Sequence, residues 1–332
     1  MRSPRFYRLC MITAVIVTAV FAVAALCMGR YTIPLSEVME ELFGGGSDMA
    51  NVHTVLFQIR IPRILLSVLA GAGLAAAGCA FQSLFGNPLA TPDTLGIANG
   101  ASFGAALGIL LGFQAVGVQT SALIAGILAV VLVFAVTGGR RSSMIMIILA
   151  GMVISSLFSA LVSLVKFVAD PQDVLPVITF WLMGSLSSVT VKSLLYGAPF
   201  ILCGIVILYL LRYRLNVLSL PEDEARALGV DLKLLRTLVI AASTAITASV
   251  VALCGVIGWV GLLVPHIARM LFGNSNHRIL PASLVFGGLF LLLVDTAARC
   301  IAASEIPVSI LTAVIGAPVF ILLLRKTGGI RT

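Results

Sequence analysis

The stretch TLGIANGASFGAALGILLGFQAVGVQTSALIAGILAVVLVFAVTGG, residues 94–139, contains no charged side chain and decides the fold class. A helix needs about 20 apolar residues to cross the hydrocarbon core of a bilayer, so this stretch holds two crossings and the turn between them. Further apolar segments that are each long enough for one crossing lie at residues 9–28, 142–165, 193–211 and 306–324. The sequence therefore predicts an all-α polytopic membrane protein.

The composition agrees with a membrane protein. Hydrophobic residues make up 60% of the chain and charged residues only 10%, whereas soluble globular domains average about 25% charged residues. The formal net charge of +8 is not gathered into basic stretches interleaved with aromatic residues, which argues against nucleic-acid binding. We therefore interpret the positive charge as a signal for orientation in the membrane.

The apolar segments predict about ten transmembrane helices, at residues 9–28, 62–82, 94–112, 116–136, 143–165, 193–211, 237–257, 258–272, 279–298 and 306–324. The alternative to the seventh and eighth is one long helix over 237–268. Two crossings there place 15 of the 21 Lys and Arg residues on one side of the membrane, whereas one crossing places only 11. Because Lys and Arg accumulate in cytoplasmic loops, the charges favour ten crossings with both termini cytoplasmic, in a bacterial cytoplasmic (inner) membrane.

Two stretches outside these crossings are predicted to lie on the outer side. Residues 30–58 carry several acidic residues and should be partly helical, and residues 167–191 are interpreted as containing a short half-helix. Within the third crossing, Gly100, Gly104, Gly108 and Gly112 recur every four residues. This spacing puts them on one helix face, where small residues allow two membrane helices to pack closely.

Three arginines, Arg60, Arg63 and Arg299, fall on the predicted outer side, against the general charge bias. A guanidinium offers a planar fork that matches a carboxylate, so we expect these arginines to lie at the surface and to meet carboxylates of a partner protein. Two other interpretations stay open. Arg60 and Arg63 would also suit anchoring to lipid headgroups, and Arg299 can pair with Asp295 four residues earlier on the same helix face.

The segment SLPEDEARALGVDLKLLR, residues 219–236, is predicted to form a short cytoplasmic helix. Ser219 and Glu222 have the spacing of a capping box, acidic residues in the first turn suit the helix dipole, and Gly229 can close the helix. The weak apolar face formed by Leu220, Ala225 and Leu228 has no core of its own. We therefore favour contact with a partner protein over a solvated loop helix.

No motif in the sequence supports catalysis or metal binding. The Cys, His and acidic residues do not have metal-ligand spacing, the six dispersed cysteines are interpreted as buried free thiols, and His266 is interpreted as structural. Lys326 and Thr327 follow an arginine where a Walker motif requires glycine. We therefore expect no cofactor, no metal and no enzyme activity in this chain.

Several motifs together resemble the FecCD-type permease family of ABC importers, which take up iron–siderophore complexes, haem and cobalamin. They are spread over most of the chain in the same order and spacing. The motifs are RIPR (60–63), Gln82, NPLATPDTLGIANGASFG (87–104), EARALGV (224–230), GVIGWVGLLVPHIAR (255–269) and EIPVSILTAVIGAPVF (305–320).

The resemblance implies a type II ABC importer permease fold, with residues 1–332 forming one transmembrane permease domain. It implies a homodimer or a pair with a similar permease, two ATPase subunits inside that hydrolyse ATP with its Mg²⁺, a substrate-binding protein outside, and contact with membrane lipid but not nucleic acid. It assigns binding-protein docking to the three outer arginines. Coupling to the ATPase is assigned to the helix at about 219–230, namely to Pro221, Glu222, Asp223, Glu224, Ala225, Arg226, Ala227, Leu228 and Gly229.

The resemblance also places the central pathway along the fifth crossing. Ser155, Ser156 and Ser159 would give this helix a mildly polar face, and an inner gate is implied at Ser142, Ser143 and Met144.

The implied cargo is a ferric siderophore or similar metal chelate, with haem, cobalamin or an oxyanion as alternatives. A membrane enzyme would need a catalytic cluster, and the sequence contains none. An ion-coupled transporter would need buried ionisable residues, for which Asp295 is the main candidate.

Overall fold

The structure is a computed structural model that describes residues 3–44, 50–138, 143–220, 222–302 and 304–326. These residues form helices and connecting segments, with no β-strand in the described ranges. The α-helices are α1 (Pro4–Cys27), α2 (Leu35–Phe43), α3 (Ala50–His53), α4 (Ile61–Leu84), α5 (Ile97–Leu110), α6 (Ala115–Val136), α7 (Met144–Val168), α8 (Val174–Leu182), α9 (Val191–Leu211), α10 (Glu222–Ala227), α11 (Leu232–Cys254), α12 (Val260–Phe272), α13 (Asn276–Cys300) and α14 (Val308–Lys326).

Each of the ten predicted crossings coincides with a helix. Seven spans are long and apolar enough to cross a bilayer, and α5, α12 and α14 are shorter apolar helices. The seventh and eighth crossings are separate helices, as the charge distribution indicated, because the chain leaves the helical conformation over residues 255–259. The predicted all-α polytopic fold is confirmed.

The predicted outer stretches also contain the expected helices. Helices α2 and α3 lie within residues 30–58, and the predicted half-helix is α8. A π-helical stretch, Thr54–Arg60, joins α3 to α4 without a break, so that residues 51–84 form one continuous helical span. π-Turns inside helices are rare and are often found at functional sites, and this one ends at Arg60.

Helices α4 and α11 form the centre of the bundle. In the most apolar 18-residue segment of each of these two helices, 78% of the residues are buried. The corresponding share in α1 is 11%, and α1 lies at the periphery. A helix that is apolar all round can be buried or can face lipid, and both situations occur here. The exposed large side chains of α1, such as Val20 at 64% exposure, are therefore consistent with contact with lipid.

The glycines of α5 pack this helix against α6, as predicted, with one exception. A Cβ on Gly104 would lie 2.2 Å from the carbonyl oxygen of Ser121, and a Cβ on Gly100 would lie 2.6 Å from that of Ala125. Gly108 faces the Ser121 hydroxyl. Gly112 is not part of this face, because α5 ends at Leu110 and Gly112 adopts a positive φ of 73° in the turn to α6.

The break between α11 and α12 is packed against the end of α8. A Cβ on Gly255 would lie 2.3 Å from the carbonyl oxygen of Trp181, and one on Gly184 would lie 2.3 Å from that of Val256. The Gly184 carbonyl also accepts a hydrogen bond of 2.9 Å from the Val308 amide at the start of α14. The half-helix α8 is thereby fixed to both α11 and α14.

Candidate docking, coupling and pathway sites

A buried ion network joins α4, α13 and the segment that precedes α14. Arg63 donates from Nε to Oδ2 of Asp295 at 3.1 Å, from Nη2 to Oδ1 of Asp295 at 2.9 Å, and from Nη1 to Glu305 at 3.1 Å. The Asp295 side chain is fully buried, whereas that of Glu305 is 26% exposed. The bidentate contact between Arg63 and Asp295 has the geometry of a strong, charge-assisted pair.

The other two arginines of this group are directed at the end of α1. Arg60 donates to the carbonyl oxygens of Leu26 and Tyr31. Arg299 donates to the carbonyl of Ala25 at 3.5 Å and lies 3.6 Å from Asp295. The last carbonyls of a helix lack partners within the helix and carry partial negative charge, so these two cations cap α1.

The expectation that the three arginines are exposed at the surface is wrong. Arg60, Arg63 and Arg299 are 4%, 3% and 6% exposed. The alternative pairing of Arg299 with Asp295 is present, and the three positive charges are offset within the chain by two carboxylates and the end of α1. Because their charges are compensated within the chain, the three arginines can lie on the predicted outer side, where Lys and Arg are otherwise rare.

The predicted coupling helix is present but shorter than expected. It is α10, Glu222–Ala227, and it follows a 3₁₀ turn over Arg214–Ser219, so Ser219 is not its N-cap. Pro221 and the side chains of Ser219, Glu222, Asp223 and Arg226 lie outside the described residues. The Glu224 and Ala227 side chains are exposed.

One residue of the apolar face of this segment is covered by the chain itself. Ala225 is fully buried, whereas Leu220 and Leu228 are 39% and 62% exposed. Gly229 ends the segment with a positive φ of 71°, as predicted for a helix-terminating glycine, and a Cβ built on it would meet nothing within 4 Å. The two exposed leucines leave an apolar surface at the predicted cytoplasmic side.

The predicted pathway serines line a common recess. Ser155, Ser156 and Ser159 lie on α7 together with Ser163, and Asn99 of α5 completes the polar lining. The Asn99 amide donates to the Ser155 hydroxyl at 2.9 Å. The recess therefore presents hydroxyl and amide groups without a charged side chain.

One serine of the predicted gate, Ser143, has a structural role. Ser143 is the N-cap of α7, and its hydroxyl accepts a hydrogen bond of 3.2 Å from the amide of Met146. Met144 is the first residue of α7 and is half-buried. Ser142 lies outside the described residues, so a gate at these positions stays a prediction.

Several polar residues in the network and at the opposite end of the bundle were not predicted from the sequence. Glu305 appeared only as part of a motif, although it is the second carboxylate on Arg63. At the other end, the Asn276 side chain accepts a hydrogen bond from the Ser83 hydroxyl, and the Asn276 backbone amide donates one to the Asn216 side-chain oxygen. Of these residues, only Glu305 gives a signal in the sequence, as an acidic residue between two apolar segments.

The loop before α8 contains a further exposed carboxylate. Asp170 accepts hydrogen bonds from the amides of Gln172 and Asp173 at 2.8 and 2.9 Å. The amide of Asp173, followed by that of Gln172, lowers the pKa of Asp170 by stabilising its ionised form. The loop is thereby held in a turn at the start of the half-helix.

A bundle of apolar helices with a polar recess, buried charges at one end and a short amphipathic helix at the other defines a membrane transport permease. The sequence matches the FecCD transport family over residues 16–326. The match covers more than half of the chain, and the chain belongs to this family. It is a multi-pass protein of the cytoplasmic membrane, as the sequence predicted.

Individual relatives agree with this assignment. The chain is 42% identical to the molybdate import system permease protein MolB of Haemophilus influenzae, over 92% of each chain. It is 35% identical to a probable iron chelatin transport system permease protein of Helicobacter pylori, over 94% of this chain and 96% of the relative. A solved inward-facing structure of a metal-chelate type ABC transporter aligns with a TM-score of 0.87 and 41% identity, covering 95% and 98% of the two chains.

Proposed function

We propose that this chain is the transmembrane permease subunit of an ATP-driven importer that receives a ferric siderophore or similar metal chelate from an extracytoplasmic binding protein. The match to the FecCD transport family over residues 16–326 carries this proposal. ATP would be hydrolysed by two separate ATPase subunits, since the sequence contains no Walker motif. A second permease subunit, identical or similar, would complete the pathway.

The ATPase subunits would bind at α10 and the residues around it. Leu220 and Leu228 remain exposed on either side of this helix and are available for apolar contact with another protein. The fixed turn at Gly229 sets the direction in which the chain leaves this helix. A short helix that ends at such a turn is suited to transmit movement of a bound subunit.

The cargo would be a metal complex with an oxygen-rich surface. The recess on α7 offers neutral hydroxyl and amide groups from Asn99, Ser155, Ser156 and Ser159. Such groups can form hydrogen bonds with an anion while binding it weakly enough for release, as conduction requires. A ferric siderophore or similar chelate is the first candidate, and haem or cobalamin would be further chelates of this class. Molybdate is the second candidate, because the 42% identical relative is a molybdate permease.

Cargo uptake distinguishes the candidates. The permease, its cognate ATPase subunit and its cognate binding protein would be reconstituted in proteoliposomes and supplied with radiolabelled ferric siderophores, haem, cobalamin or molybdate. We expect ATP-dependent accumulation of one class only. If none of these compounds is taken up by a complex whose ATPase is active, the proposed cargo class is wrong.

Docking of the binding protein at Arg60, Arg63 and Arg299 also remains a proposal. Because Arg63 is buried and paired, altering the arginine would disturb the fold, and the test is better made on the partner. Changing surface glutamates of the binding protein to arginine, one at a time, should weaken binding to the permease most at low salt, where screening is least. Unchanged affinity for every such variant would exclude carboxylate recognition by this cluster.

A further inference from the structure

Helices α4 and α13 are interlocked at their middle. A Cβ on Gly71 would lie 2.2 Å from the carbonyl oxygen of Gly287, and a Cβ on Gly287 would lie 2.3 Å from that of Gly71. Gly288 packs in the same way against Val68, at 3.1 Å. The two backbones are in direct contact, and packed interfaces of this kind resist continuous deformation. The pair is therefore expected to move as one body.

The same two helices are linked by polar contacts at both ends. At one end, Arg63 of α4 forms the bidentate pair with Asp295 of α13. At the other end, the Ser83 hydroxyl of α4 donates to the Asn276 side-chain oxygen of α13 at 3.0 Å. Asn276 is only 3% exposed. The α4–α13 pair thus connects the ion network to the opposite end of the bundle.

The start of α13 is capped by a residue from another segment. The N-cap residue Ser275 makes no side-chain cap hydrogen bond, whereas the Asn216 side chain accepts a hydrogen bond of 2.8 Å from the Asn276 amide. The first amides of a helix lack partners within the helix and need an acceptor. Asn216 belongs to the 3₁₀ turn Arg214–Ser219, which leads to α10.

A second contact joins the same two segments independently. The Tyr213 and His277 rings are stacked, with centroids 5.5 Å apart and an angle of 5° between the planes. His277 Nδ1 in turn lies 2.6 Å from the Ser275 hydroxyl. The chain just before α10 is therefore fixed to the start of α13 by a helix cap and by ring stacking.

We infer that Asn216 is a positioning residue for transport, which transmits movement of the ATPase-bound α10 to the α4–α13 pair. This inference rests on the proposed function of α10. Displacement of α10 would pull on the 3₁₀ turn, and the Asn216 cap would pass that displacement to α13. Because α13 is interlocked with α4, the movement would reach Arg63 and Asp295 at the far end.

The test compares Asn216→Leu with Asn216→Asp in the reconstituted complex. Leu removes the acceptor at similar size, whereas a carboxylate can still accept from the Asn276 amide and suits a helix N-terminus. We expect Asn216→Leu to lower the cargo transported per ATP hydrolysed severalfold, because the 3₁₀ turn loses its hydrogen bond to the start of α13. Asn216→Asp should retain the normal ratio. Basal ATPase rate and binding of the ATPase subunit should stay unchanged in both variants.

A normal transport ratio in the Leu variant, or an equal loss in the Asp variant, would overturn the inference. If Asn216→Leu fails to assemble, Asn216→Ala provides the same measurement, because it removes the same acceptor with a smaller side chain. A normal ratio in that variant would count against the inference as well. Failure of the proposed function is distinguishable, because ATP-driven uptake would then be absent from the unaltered complex.

Discussion

Replacing Asp295 with alanine should destabilise the protein by about 3–5 kcal/mol, the effect of removing one partner of a buried ion pair. Asp295 is fully buried and faces both Arg63 and Arg299, which are 3% and 6% exposed. Without this carboxylate, two cations remain in a region of low dielectric without their main counter-charge. The loss is a large part of a typical folding free energy of about 5–15 kcal/mol. Thermal unfolding of the purified protein in detergent measures it.

Glu305 provides the matched control. It binds the same guanidinium, but its side chain is 26% exposed and Arg63 keeps Asp295 in its absence. Glu305→Ala should therefore cost only about 1 kcal/mol, as for a solvent-accessible ion pair. Normal stability of Asp295→Ala would show that the network does not hold α4 to α13, and equal losses in the two variants would show that the burial of Asp295 does not set the size of the effect.

Replacing Gly229 with valine should reduce ATP-driven uptake by about tenfold. Gly229 has a φ of +71°, a conformation that costs an L-residue about 1–2 kcal/mol and a β-branched residue more. A Cβ there meets nothing within 4 Å, so the effect would come from the backbone conformation and not from a steric clash. The altered turn would displace α10 from the position in which we propose that it contacts the ATPase subunit. Both uptake and the ATPase rate would be measured in proteoliposomes. We expect uptake to fall more than the ATPase rate does.

Gly112 is a suitable control for this experiment. Its φ is +73°, and a Cβ on it also meets nothing within 4 Å. It lies in the turn between α5 and α6, which the charge pattern places on the outer side. Gly112→Val introduces the same backbone strain away from the ATPase and should leave coupling intact. If the two variants lose uptake to the same extent, strain and not the position of α10 explains the result for Gly229.

The helices were predictable because their signal is local. Long uncharged segments predict crossings, and the distribution of Lys and Arg indicated that residues 237–272 form two helices. The charge bias also marked Arg60, Arg63 and Arg299 as unusual. Their burial was not predictable, because it depends on Glu305 and on the carbonyls at the end of α1, which are distant in sequence.

The hydrogen bond between Asn276 and Asn216 was likewise not predictable from the sequence. Two asparagines separated by 60 positions give no periodic or spacing signal, and their contact arises only when the 3₁₀ turn lies against the start of α13. The length of α10 was overestimated for a related reason. The spacing of Ser219 and Glu222 fits a capping box, but Ser219 belongs to the preceding 3₁₀ turn. Short motifs predict what a segment can form, whereas the packing decides where it begins.

The energy source for uptake tests the central proposal most directly. Proteoliposomes containing the permease and its cognate ATPase subunit would receive labelled cargo and binding protein outside, with ATP inside. The proposal predicts accumulation that requires ATP, the ATPase subunit and the binding protein together, and that continues when proton and sodium gradients are abolished. Uptake by the permease alone, driven by an ion gradient without ATP, would contradict the proposal and identify an ion-coupled transporter.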